Sequence, residues 1–251
     1  MKLQRRQTNK GSKGGLSTAL HIILTAALPL LAYILVRLNF GWVAVLLIIL
    51  SKWRMFAVKL RHWPANFRAN AVDIFVGVSF VIFMVSSDTQ SFQLLWSAMY
   101  AVWLLVIKPQ SSALWVGVQA LISQALALTS IFLFWSDAPT FQLVFLSWGV
   151  GYLAARHFLT AFDEAMSRAT AYSWAFFVAS IAWLSGHWLI FYGPVAQPAL
   201  LLSVLGYGLA SIYYLEHTDK LSKSVRRQFI LVMLAVVLFL VIFSDWKDKT
   251  I

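Results

Sequence analysis

The sequence predicts an all-α polytopic transmembrane bundle. Three observations carry this. Of 251 residues, 61% are hydrophobic and only 12% charged, against about 25% charged in soluble domains. The apolar residues fall into runs near the roughly 20 residues a helix needs to cross a bilayer. The connections are too short to hold a soluble domain.

Nine spans are expected: 17–36, 40–56, 71–87, 91–107, 112–135, 140–157, 171–193, 197–215 and 227–244. The second has the shortest apolar core, Phe40 to Leu50, because Lys52 and Arg54 close it. Residues 1–15 read as a disordered basic tail, residues 16–245 as one transmembrane domain, and residues 246–251 as a short external tail. The first apolar run is too long for a signal-peptide core and has no small-x-small site before Arg37, so an uncleaved span is expected.

The charges set the orientation. With the N-terminus inside, 17 of the 20 Lys and Arg residues lie on the cytoplasmic side; Arg37, Lys247 and Lys249 do not. That is the positive-inside bias. The C-terminus then lies outside. The net charge of +11 therefore records topology and anionic headgroups at the cytoplasmic face, not nucleic acid. The chain has no cysteine, which removes disulfides and thiolate chemistry. No cofactor is expected, and no Walker motif, HExxH or GxSxG occurs.

Between the second and third spans, Trp53, Phe56, Leu60 and Trp63 recur at helical spacing, with Lys52, Arg54, Lys59 and Arg61 on the other sides. A short amphipathic helix at the headgroup layer is expected, ended by Pro64. Asn70 would then cap the third span and Asp73 sit in its first turn, where the helix dipole favours an anion. The competing reading makes Asp73 an intramembrane proton or cation site.

Twelve tryptophans suit interfacial belts: Trp42, Trp53, Trp63, Trp135, Trp188 and Trp246 fall near span ends. Trp103, Trp115, Trp148 and Trp183 fall deeper, where core or lipid packing competes with lining a cavity. Ser147, Gly151 and Ala155 on the sixth span, and Gly206 and Ala210 on the eighth, form small-residue stripes that let helices approach. The two spans are faintly alike, LSWGVGYLAARH against LSVLGYGLASIYYLEH; a parallel repeat competes with chance likeness.

RHFLTAFDEAMSR, Arg156 to Arg168, concentrates charge. Phe158, Phe162, Ala165, Met166 and Ala169 form one helical stripe, and Glu164 with Arg168 is an i,i+4 pair. A helical continuation of the sixth span is expected, its charges paired locally and with the inner end of the eighth. His157, Glu216 and His217 lie near these acids and are candidates for a ligand site or proton relay. Polar groups within spans five to eight are Gln119, Ser123, Gln124, Ser180, Ser185 and Tyr207.

Two resemblances bear on function. DEAMSR is similar to the EExxxR motif of the CAAX-protease and bacteriocin-processing intramembrane metalloproteases, and WLSGH (Trp183 to His187) resembles that family's FxxxH. The likeness implies a water-activating metal site of Asp163, Glu164 and His187, with Arg168 in support. Asp163 departs from the first Glu, Trp183 from Phe, and the last span has no His or Asn for the third motif. The stretch KWRMFAVKLRHWPANFRANAVD resembles multispan membrane proteins of host-dependent candidate-phylum bacteria, a family that implies a bacterial membrane and no particular activity. The leading expectation is a non-enzymatic inner-membrane protein. It would be a small carrier, or a subunit binding a lipid, a solute or a membrane-protein partner. An intramembrane metal-dependent hydrolase is the alternative. A polar mid-membrane cavity would favour a carrier, convergence of Glu164 with His187 an enzyme, and a filled core with an apolar groove a subunit.

Overall fold

In a computed structural model, residues 14–162, 164–187, 190–193 and 195–243 are described. The side chains of His21 and Arg54 fall outside that description, as do Asp163, Trp188 and Trp246 and both expected tails but for residues 14 and 15. Among the described residues the regular structure is helical apart from one two-stranded hairpin. The helices are α1 Gly14–Arg37, α2 Gly41–Leu50, α3 Trp63–Val85, α4 Gln90–Val102, α5 Ala113–Phe134, α6 Thr140–Leu159, α7 Ser167–Gly186, α8 Gln197–His217 and α9 Lys223–Ile242. The strands β1 Phe191–Tyr192 and β2 Val195–Ala196 pair antiparallel.

Each expected span contains one helix, because length and apolar content are local properties of the chain. Among the described residues, five helical segments are long and apolar enough to cross a membrane: Leu60–Val85, Gln90–Ile107, Ala113–Phe134, Gln197–His217 and Lys223–Ile242. Large apolar side chains on the outside fit that environment: Leu231, Val232, Leu234, Leu238 and Phe239 of α9 are all exposed, a surface that water would penalise.

Several boundaries depart from expectation. α2 has ten residues, about 15 Å at 1.5 Å per residue, half the hydrocarbon thickness. The expected amphipathic helix before Pro64 is two 3₁₀ turns, Trp53–Met55 and Leu60–His62. Pro64 does not end a helix there. It lies in the first turn of α3, where its missing N–H costs nothing. The seventh span stops at Gly186 because the chain turns into the hairpin.

Two apolar cores fill the molecule. One joins α1 to α4 around Ala32, Ile48, Val76, Met84, Tyr100 and Trp103. The other joins α5 to α8 around Leu128, Phe132, Leu143, Val178, Ala182 and Leu202. α3 and α5 weld them, with a buried Ser79–Ser130 hydroxyl pair at 3.0 Å across the seam. In the second core a Cβ on Gly151 would stand 2.9 Å from Val178 Cγ2, so the glycine sets how closely α6 and α7 approach. Ser147 and Ala154 are buried beside it. Ala155, expected in this stripe, turns instead toward a cleft described below.

Two helices end on left-handed residues. Asn39 (φ 62°) follows α1 and Asp219 (φ 54°) follows α8. Behind them, Phe40 N–H donates to Leu35 O and Lys220 N–H to Leu215 O, both at 2.8 Å. This closure satisfies carbonyls at the helix end. In α8 it fixes Glu216 and His217 at the C-terminal tip.

Candidate functional site

Asp73 lies well inside α3, ten residues after Trp63, and not in its first turn. Asn70 is no cap: it donates to Asn66 O at 2.9 Å within the helix. Asp73 is 8% exposed, and an ionised carboxylate at such depth needs partners. Lys52 Nζ lies 2.6 Å from Oδ2, the Lys108 ammonium pairs with the same oxygen, and Trp103 Nε1 donates to Oδ1 at 2.9 Å. Both oxygens are thus taken by donors, so a metal cation would have to displace them.

The backbone of α4 makes this possible. Residues Trp103–Ile107 form a π-helical turn in which Lys108 N–H reaches back to Trp103 O at 2.9 Å. Five residues apart on an α-helix means roughly 140° around the axis; the wider turn brings the indole and the ammonium to one side. From there the polar seam continues. Gln119 Nε2 donates to Ile107 O and Gln110 O, both at 2.9 Å. The Gln119 side-chain oxygen meets His157 Nε2 at 3.2 Å. The seam holds α3 to α6 together at the Lys-rich end. It also revises one expectation: Lys52 turns inward to Asp73 and is not a headgroup ligand, whereas Trp53, Lys59, Arg61 and Trp63 are exposed.

The second arrangement is a cleft of about 380 Å³ between α5, α6, α7 and α8, within the roughly 300–1,000 Å³ typical of ligand pockets. Its walls are chiefly apolar: Ala120, Leu121, Ala154, Ala155, Phe158 and Leu209 contribute. Two small residues noted in the sequence, Gly206 and Ala210, line it from α8. Across its floor Trp174 Nε1 donates to Gln124 Oε1 at 2.8 Å, and Gln124 Nε2 reaches Leu202 O at 3.4 Å. A Cβ on Gly206 would lie 2.9 Å from that amide nitrogen, so glycine preserves its place.

The mouth lies where the end of α6, the start of α7 and the end of α8 meet. Tyr213 donates to Glu164 Oε2 at 2.6 Å, and Met166 N–H to Oε1 at 3.4 Å. The Tyr213 hydrogen bond foremost, with the Met166 N–H, holds the Glu164 carboxyl below the usual carboxylate range. His217 Nε2 lies 3.8 Å from Glu164 and its ring stacks on Tyr213 at 4.0 Å. Glu216 pairs with Arg226 at 3.4 Å.

The charged stretch therefore folds differently from the continuous helix its spacing predicts. α6 stops at Leu159, a 3₁₀ turn covers Thr160–Phe162, and α7 begins at Ser167. Glu164 faces α8 and does not form the expected pair with Arg168, whose side chain is exposed. Arg156 donates to Ser167 Oγ at 2.6 Å across the turn. The stretch does contact the C-terminal end of α8, through Tyr213 and His217. His187 follows the far end of α7, some 30 Å from Glu164 by helix rise, and its Nδ1 meets Trp183 O at 2.9 Å. Asp163 lies outside the described residues. Among the described residues no group of three or more His, Asp or Glu gathers closely enough to hold a metal ion.

Of the residues singled out in the sequence, Asp73 and His157 lie on the polar seam, and Glu164, Glu216 and His217 lie at one end of the cleft. Sequence reasoning missed Lys108, Trp103 and Tyr213 as partners. The available signal was a carboxylate in an apolar run, with Lys52 and Lys108 both at inner ends of neighbouring spans. No protein-family model matches this chain, and neither a curated protein nor a solved structure matches it.

Proposed function

We propose that this chain is a multi-pass protein of a bacterial cytoplasmic membrane that works by binding a lipid-like ligand, as a small carrier or a membrane-embedded subunit. The N-terminus lies inside and the C-terminus outside, with nine helices crossing or entering the bilayer. The 17-to-3 division of basic residues supports that orientation. Short α2 fits the count because Ser51 and Lys52 carry the chain on to the level of Asp73.

One observation carries the functional reading: a chiefly apolar cleft lies between four helices, with its one charged lining residue, Glu216, at one end. A hydrocarbon chain is the ligand that such walls favour, because few polar groups in the lining demand a partner. An amphiphile can enter sideways from the bilayer between α7 and α8, where Thr170 and Leu209 of the lining are exposed.

Quantifying lipid in protein purified in mild detergent tests this. The wild type should retain bound lipid through exhaustive washing. Ala155→Leu with Ala210→Leu, which fill the cleft from two sides, should lower that content severalfold while the protein stays folded. Equal lipid content in a folded double variant would refute the reading.

A further inference from the structure

The mouth of the cleft opposes the charge of its surroundings. Around it, the ends of α6 and α7, the turn after α8 and the start of α9 carry Arg156, Arg168, Lys220, Lys223, Arg226 and Arg227, a field that ordinarily recruits anionic headgroups. Yet the chain has only nine acidic residues, and two of them stand here: Glu216 in the lining and Glu164 one hydrogen bond behind Tyr213.

The donors of the lining are already engaged. Trp174 Nε1 donates to Gln124, Gln124 Nε2 to Leu202 O, Tyr213 OH to Glu164, and Thr170 Oγ1 to Met166 O at 3.2 Å. A phosphate or carboxylate needs N–H or O–H groups to replace its hydration; at the mouth these are spent, and the second N–H of the Gln124 amide lies at the floor, away from a headgroup. What the mouth still presents is the Glu216 carboxylate beside the Phe158 and Tyr213 rings of the lining, with one face of Tyr213 covered by His217; carboxylates and aromatic rings both attract cations. Arg226 offsets Glu216 only in part, through an exposed contact at 3.4 Å.

We infer that the cleft selects an amphiphile with a cationic head, a protonated amine or quaternary ammonium, whose tail lies among α5 to α8 and whose head meets Glu216 and Glu164. This rests on the lipid-binding reading and adds the sign of the headgroup.

The test uses the full chain in nanodiscs of zwitterionic lipid. Bromoundecyl probes carrying a trimethylammonium, a sulfate or a hydroxyl head are added in turn. Bromine quenches nearby indoles, and subtracting the signal of Trp174→Phe isolates Trp174 within the cleft. The ammonium probe should half-quench Trp174 at about tenfold lower concentration than the sulfate probe. Glu164→Gln with Glu216→Gln should abolish that preference and leave the hydroxyl probe unchanged; Glu216→Gln alone, at an exposed position, should reduce it. Equal or stronger quenching by the sulfate, or a preference that survives the double variant, overturns the cationic assignment. If the hydroxyl probe also leaves Trp174 unquenched, the cleft itself takes no alkyl chain and the underlying reading fails.

Discussion

The phenol of Tyr213 donates a hydrogen bond to the Glu164 carboxylate at 2.6 Å. It ties the tip of α8 to the turn before α7, residues 49 apart in sequence. The contact turns Glu164 from a local helix partner into the acidic element of the cleft mouth.

That bond makes a pH prediction. Glu164 has a folded pKa below its ordinary value, so its contribution is present above the unfolded value and is lost as pH falls through the folded one. The melting temperature should fall on acidification through the carboxylate range, and Tyr213→Phe should make that fall shallower. An identical pH profile in the variant would show that the hydrogen bond contributes nothing. Glu164→Gln at neutral pH should cost little, because the site is open to water.

Asp73 should behave oppositely. Lys52 and Asp73 side chains are 12% and 10% exposed, and removing one member strands a buried charge. Asp73→Asn should destabilise by about 3–5 kcal/mol, read from denaturation in detergent. Asp73→Leu combined with Lys52→Leu should recover part of the loss. A single variant as stable as the wild type would place the group in water.

Gly151→Leu should cost on the order of 1–3 kcal/mol by overpacking, since Val178 Cγ2 already stands 2.9 Å from where a Cβ would be. Gly149→Leu is its control, because a Cβ there meets nothing within 4 Å. Equal melting shifts for the two would remove the α6–α7 contact as the cause.

Orientation is tested by reporter fusions after Trp63, Ser112, Arg168 and Lys223. All four should report cytoplasm, following the distribution of basic residues. Periplasmic signals at two or more would overturn the nine-span reading.

Element positions were legible in the sequence because a membrane helix announces itself by the length of its apolar run, a local quantity. α4 through its π-turn, α5 and α6 match their expected bounds within two residues for that reason. The small-residue rule likewise pointed to Gly151. Facing was not legible. In water a helix turns polar residues outward, and the period reveals its buried side; in a bilayer the lipid side and the core side are both apolar. Exposed Leu231 in α9 and buried Leu202 in α8 are the same residue type. Nothing local to Asp73 reveals that Lys52, Lys108 and Trp103 converge on it from two other segments, nor that Glu164 turns to Tyr213 instead of Arg168. Those choices belong to the tertiary structure, because a buried charge takes whichever donor the packed helices bring within reach, at any separation along the chain.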